Sequence, residues 1–215
     1  MPWLYNIVEL FVRLLFFLFT RCQVIGKENI PNRGALLIVA NHIELPDVPL
    51  LAVSLNRRLS FMAKEELFQR RFLFLGYLIR KFGSFPVHRG RLDRKALRQA
   101  EKVLADGLVL VMFPEGTRSR SGRLRHAFLG SALIALRSGA PILPVGITGT
   151  EKIKGVGWIV TRPRMTVNIG APFRLPSVNS ELTRAELAEY TEIIMRRIAA
   201  LLPVEYRGDH APRRD

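Results

Sequence analysis

Two unbroken apolar runs, Ala35-Leu36-Leu37-Ile38-Val39-Ala40 and Leu108-Val109-Leu110-Val111-Met112-Phe113, most constrain the fold of this chain. A strand with one wet face alternates polar and apolar residues, whereas a run without alternation reads as a strand covered on both faces. Gly34 bounds the first run and Pro114 stops the second. Shorter strand candidates lie at 24–26, 61–63, 85–87, 142–148 and 165–169, and helical patterns at 48–55, 65–81, 92–105, 128–138 and 184–202. Gly76 is read as a break within 65–81, and Asp106-Gly107 as a C-cap. Strands alternating with helices predict an α/β fold, one domain with a central, mostly parallel sheet flanked by helices. The 215 residues, 48% of them hydrophobic, suffice for one sizeable core. The expected organisation is an N-terminal helix over 1–21 and the α/β domain over 22–215, with no internal repeat.

Directly behind the first run stands Asn41-His42-Ile43-Glu44-Leu45-Pro46-Asp47. Open α/β sheets take ligands at the C-terminal ends of their strands, which is where His42 emerges. Pro46 extends Leu45, and a helix restarts at Asp47-Val48-Pro49. The turn between can fold the Asp47 carboxylate back to the imidazole, fix the tautomer, and leave Nε2 free as a general base. Taken alone, the same residues fit an N-cap aspartate followed by Pro49 in the first turn, with His42 an ordinary loop histidine.

The second run opens into Phe113-Pro114-Glu115-Gly116-Thr117-Arg118-Ser119. Gly116 allows close backbone approach, Thr117 and Ser119 offer hydroxyls, and Arg118 offers a planar fork suited to phosphate. Glu115 could orient that arginine or a substrate hydroxyl, though a solvated basic loop would look the same. A third cluster, Phe85-Pro86-Val87-His88-Arg89-Gly90, adds Arg89 as a second phosphate ligand, with His88 read as a solvated side chain. No serine-hydrolase elbow, Walker loop, dinucleotide-binding glycine motif or zincin helix occurs. The single cysteine, Cys22, excludes an internal disulfide framework and reads as a small buried or interfacial residue.

Thirty-three Lys and Arg against 18 Asp and Glu give a formal charge of +15, which calls for an anionic partner: nucleic acid, an acidic membrane surface or a phosphorylated small molecule. The N-terminus breaks the tie. From Trp3 to Phe19 the chain is aromatic and aliphatic, interrupted at helical spacing by a polar stripe of Asn6, Glu9, Arg13 and Thr20. That pattern suits a helix lying in a bilayer interface. A spanning helix needs about 20 consecutive apolar residues, and the longest uninterrupted run here is Leu14 to Phe19. There is no basic n-region or cleavage site of a secretory signal. A nucleic-acid binder would interleave aromatics with its basic residues, whereas these phenylalanines concentrate in the N-terminal helix and core-like runs, so no nucleic-acid partner is expected.

Together the blocks resemble the glycerolipid acyltransferases, typified by the bacterial lysophosphatidic acid acyltransferases. Asn41-His42-x4-Asp47 looks like that family's catalytic block. Lys64-Glu65-Glu66-Leu67-Phe68 through Gly83 to Gly90 looks like its second, Phe113 to Ser119 like its third, and Ala140-Pro141-Ile142-Leu143-Pro144-Val145 like its fourth. The resemblance implies His42 as base, Asp47 as its orienting partner, Arg89, Glu115, Gly116, Thr117 and Arg118 at the acceptor phosphate, and Pro144 as acyl-chain or sheet support. It further implies acyl transfer from acyl-CoA or acyl carrier protein to the free sn-2 hydroxyl of lysophosphatidic acid, without metal or cofactor. The enzyme would sit peripherally or monotopically on anionic lipid at the cytoplasmic face of the cell membrane. Two departures bear on the acceptor: Ile43-Glu44-Leu45-Pro46 replaces the usual polar and aromatic filler, and Phe128-Leu129-Gly130 stands where Phe-Lys-Gly is common. Another lysophospholipid or lyso-aminolipid therefore stays open as acceptor, as does a lipid hydrolase or transacylase using the same pair. A non-catalytic basic module binding anionic lipid or nucleic acid is the alternative from a different class.

Overall fold

The computed structural model describes residues 2–69, 73–81, 83–88, 93–176 and 182–210. Helix α1 (Pro2–Phe19) precedes β1 (Arg21–Ile25), β2 (Leu36–Ala40), α2 (Asp47–Ser54), β3 (Leu59–Lys64), α3 (Leu73–Lys81) and β4 (Phe85–Val87). Then come α4 (Arg94–Ala105), β5 (Val109–Met112), α5 (Gly130–Ser138), β6 (Ile142–Thr148), α6 (Trp158–Thr161), β7 (Arg164–Ile169) and α7 (Arg184–Ala200). The seven strands form a sheet in the order β1-β7-β6-β2-β5-β3-β4. Every pairing is parallel except β6 with β7. The expected mostly parallel α/β architecture is therefore present.

Strand β2 shows why its run has no polar residue. It lies between β5 and β6 and every residue in it is buried. Leu37 and Val39 point into a cluster with Leu97, Ala100, Ile134 and Ile198 from the helices on one side. Leu36, Ile38 and Ala40 join Leu50, Leu51 and Leu55 of α2 on the other. Period-two alternation thus divides the run between two apolar layers rather than between core and water. Because β2, β5 and β6 run the same way, their C-terminal ends meet at one edge of the sheet, and that edge carries Asn41-His42, the loop from Phe113, and Thr150.

Several local expectations change. Gly76 lies inside α3 instead of breaking it, because a Cβ there would stand 2.9 Å from the Leu67 carbonyl oxygen, so the glycine permits close packing on the preceding turn. The helix expected from Leu92 starts at Arg94, where Asp93 accepts the Lys95 and Ala96 amides as N-cap. Thr20 does not extend the polar stripe of α1; it is buried, with its hydroxyl on the Phe16 carbonyl. Cys22 is exposed, since β1 is an edge strand. Helix α6 and the excursion that carries it were not foreseen. Among the described residues no helix is long and apolar enough to cross a membrane.

Candidate active site

Where β2 ends, Asn41 continues its pairing through a side chain. The Asn41 amide donates to the Ile147 carbonyl at 2.9 Å and accepts the Ile147 N–H at 2.7 Å, fastening the loop to β6. His42 follows, 6% exposed, its ring stacked on Phe113 with centroids 4.1 Å apart and planes 17° from parallel. The turn through Pro46 brings Asp47 back under the imidazole, and His42 Nδ1 lies 2.7 Å from Asp47 Oδ2.

Asp47 is fully buried and saturated with donors. Its Oδ2 also accepts the Ile43 amide at 2.6 Å and the Glu44 amide at 2.9 Å, while Oδ1 accepts the Thr150 hydroxyl at 2.6 Å. The N-cap reading of Asp47 fails: Pro46 holds the cap position, Asp47 is the first helical residue, and its carboxylate faces back toward the loop. An acceptor-only group on Nδ1 makes that nitrogen the N–H donor and leaves Nε2 with its lone pair. Among the described residues no hydrogen bond occupies Nε2, which is not one of the buried unpartnered atoms. The result is an imidazole held on Nδ1 by a carboxylate and, among the described residues, unpartnered at Nε2.

The loop after β5 supports this pair from the side. Glu115 is 2% exposed, with Oε1 accepting the His42 amide at 2.9 Å and Oε2 the Arg125 amide at 3.0 Å. It therefore ties the third block to the backbone of the first instead of facing open space. Gly116 has φ +65°, and a Cβ there would come within 2.7 Å of the Phe128 ring. Thr117 and Arg118 are exposed beyond it, Arg118 forming an ion pair with Glu44. Burial opposes it, but the Leu45 amide and Arg118 hold the Glu44 carboxyl below the usual range. Ser119 is buried, its amide donating to the His42 carbonyl at 2.7 Å.

Burial pushes the Glu115 carboxyl up to about 7, against the pull of the His42 and Arg125 amides. Its unfolded reference is 4.5, so between these values the folded chain binds more protons than the unfolded one. Stability must then fall as pH rises through that window, by up to about 3 kcal/mol from this group. Glu115→Gln is expected to remove that slope, and its stability should fall below wild type chiefly at the acid end of the window, where the wild type carries no buried charge and the Gln NH2 cannot accept one of the two amides. Urea unfolding of both proteins at about pH 5 and pH 8 checks the sign; equal pH dependence would refute it.

Arg89 lies outside the described residues. His88 is part-exposed, its side chain 42% accessible, and is also paired: Nδ1 sits 3.0 Å from Asp93 Oδ2, and Nε2 faces Glu65. Pro144 is buried in β6, paired with Val39, and its carbonyl accepts the Gly170 amide. It does not line the cavity beside the site, which places it in the sheet. That cavity, about 840 Å³, runs from Phe113 and Gly116 into a wall of Met62, Leu97, Met112 and Ile134. Among the described residues no group of three or more His, Cys, Asp or Glu is arranged to hold a metal ion.

A family model described as Acyltransferase matches residues 21–148, from β1 to β6, which include His42, Asp47 and Glu115 but not Thr150. The chain belongs to the acyltransferase family. This acyltransferase is 30% identical over 181 residues to the 1-acyl-sn-glycerol-3-phosphate acyltransferase of Bacillus subtilis, covering 83% of this chain and 87% of that one. It is 32% identical over 130 residues to the protein of the same name from Borreliella burgdorferi, covering 60% and 51%. Among solved structures it resembles the 1-acyl-sn-glycerophosphate (LPA) acyltransferase PlsC of Thermotoga maritima, with a TM-score of 0.70, 30% identity, and coverage of 93% of this chain and 81% of that one. Sequence reasoning missed how Asn41, Phe113 and Thr150 hold the His42–Asp47 pair. Only Asn41 carried a signal, as an amide side chain at the end of an apolar strand.

Proposed function

We propose that this enzyme transfers a fatty acyl chain from acyl-CoA or acyl carrier protein to the sn-2 hydroxyl of lysophosphatidic acid, giving phosphatidic acid. The observation that carries the mechanism is the His42 ring, held on Nδ1 by a fully buried Asp47 and open at Nε2. His42 Nε2 takes the acceptor's hydroxyl proton as the oxygen bonds to the thioester carbonyl carbon. The tetrahedral intermediate collapses with cleavage of the carbon–sulfur bond, and the departing thiolate receives the proton from His42. Asp47 stabilises the imidazolium formed between these steps.

The mostly apolar cavity lined by Gly116 and by Phe113, whose ring stacks on His42, suits the acyl chain. Thr117 and Arg118 are the proposed ligands of the acceptor phosphate, to which the family resemblance adds Arg89, and Glu115 ties their loop to the backbone of His42. Arg118 keeps a charge balance with Glu44 until a phosphate competes for it. The names of the relatives favour lysophosphatidic acid over other lysolipids. Helix α1 suits an anionic membrane surface: Leu10, Phe11, Leu14 and Phe17 are exposed along one face, with the Glu9–Arg13 pair beside it. A panel of acyl-CoA and acyl carrier protein donors against lysophosphatidic acid and other lysolipids tests the reading. Lysophosphatidic acid is expected to have the highest kcat/KM, and a donor-independent release of fatty acid would instead indicate a hydrolase.

A further inference from the structure

The connection between β6 and β7 is far longer than its task. Adjacent antiparallel strands are usually joined by about two to five residues. Here residues 149–163 make a helical turn at Thr150–Lys152, a second turn, and then α6 before β7 begins. One end of this excursion belongs to the site: Thr150 donates to Asp47, and the charge of Lys154 acts on Glu44. The other end rests on α1. Trp158 meets Phe19 edge to face with centroids 6.1 Å apart, and the Arg162 guanidinium donates to the Phe17 carbonyl at 3.3 Å.

What the excursion presents outward is apolar. Val156 is 81% and Val160 86% exposed, and Ile159 is also exposed. Single exposed valines are ordinary. These stand next to the uncovered outer face of α1, where Leu14, Phe17 and Leu18 are exposed as well, so the apolar surface is shared by two elements. Its border is cationic. Lys152, Lys154, Arg162 and Arg164 fall in or beside the excursion, and no carboxylate occurs between Lys152 and Arg164. Arg21, just past α1, pairs in register with Arg164, which gathers positive charge where α1 and α6 end. Apolar tips within a basic rim complement acyl chains beneath anionic headgroups.

We propose that residues 155–161 are a second membrane-insertion element, entering an anionic bilayer beside α1 and setting the active-site rim against the surface that holds the acceptor. The proposal rests on the reading of the acceptor as a membrane lipid only for its purpose, not for its physics. Since the Thr150 hydroxyl ties the excursion to Asp47, its seating in lipid would fix the height of His42 above the bilayer.

The test uses the full chain carrying Val156→Asp and Val160→Asp together, substitutions of exposed side chains that leave the core untouched. Sedimentation with phosphatidylglycerol–phosphatidylcholine vesicles is expected to show wild-type binding that falls at high salt or with phosphatidylcholine alone. The double variant should partition about tenfold more weakly or worse, with unchanged turnover of short-chain, water-soluble donor and acceptor. In a Trp3→Phe background, Trp158 emission should shift to the blue on vesicles, and not in the double variant. Equal partitioning of variant and wild type, or unmoved Trp158 emission, would overturn the proposal. So would a wild type that dimerises through this face, with a monomeric variant that binds vesicles normally. Vesicle binding that behaves as expected in a protein with no transfer activity would sink the lipid acyltransferase reading and leave the insertion element standing.

Discussion

His42→Ala is expected to lower kcat for acyl transfer by about 10³- to 10⁴-fold, the range for loss of a positioned general base. The chain should remain folded. Removing the ring does not orphan Asp47, which keeps the Ile43 and Glu44 amides and the Thr150 hydroxyl. The folding cost is confined to the lost contact with Phe113 and one hydrogen bond. Thermal unfolding and circular dichroism should therefore change little while turnover collapses. KM for the acceptor should stay near the wild-type value, because His42 acts on the hydroxyl and not on the phosphate. A variant that keeps a tenth of the wild-type kcat would remove His42 from the chemistry.

Asp47→Asn should cost about 10²- to 10³-fold in kcat, and the geometry says through which effect. Oδ2 must accept three donors, so the asparagine oxygen takes that place and its NH2 faces Thr150. The threonine hydroxyl can rotate to accept it. The tautomer of His42 is then preserved, and what disappears is the negative charge that stabilises the imidazolium in a dry site. Thr150→Val in the wild-type background, which frees Oδ1 without removing the charge, should be much milder, and Thr150→Ser milder still. Steady-state kinetics of the three variants orders them. Equal losses in Asp47→Asn and Thr150→Val would mean that orientation, and not charge, is what Asp47 supplies.

The framework of this site was legible because its signals are local. The runs are apolar through β2 and β5, at 36–40 and 109–112, since both faces of these central strands are covered, and His42 and Asp47 are close enough in sequence for one turn to join them. What was not legible depends on contacts between distant segments. Thr150 reaches Asp47 across 103 residues, and nothing around Gly149-Thr150 marks a hydroxyl aimed at a carboxylate. Glu115 reads as a ligand of arginine or substrate, yet the fold closes over it and spends both oxygens on backbone amides. The pairing of the part-exposed His88 was not legible because Glu65 and Asp93, which flank it in space, stand 23 residues before it and five after it in the chain. Helix α6 has only four residues, too few for any period to show.

Direct attack by the acceptor on the thioester is tested most directly by a single turnover of the wild-type enzyme with an acyl-labelled donor. With lysophosphatidic acid present, label should pass from thioester to phosphatidic acid, with one free thiol appearing per diacyl product and no labelled protein at any time. With the acceptor omitted, the thioester should stay intact. Cleavage at the same rate without acceptor, or transient label on the chain, would contradict a mechanism in which His42 serves only as base for the incoming hydroxyl.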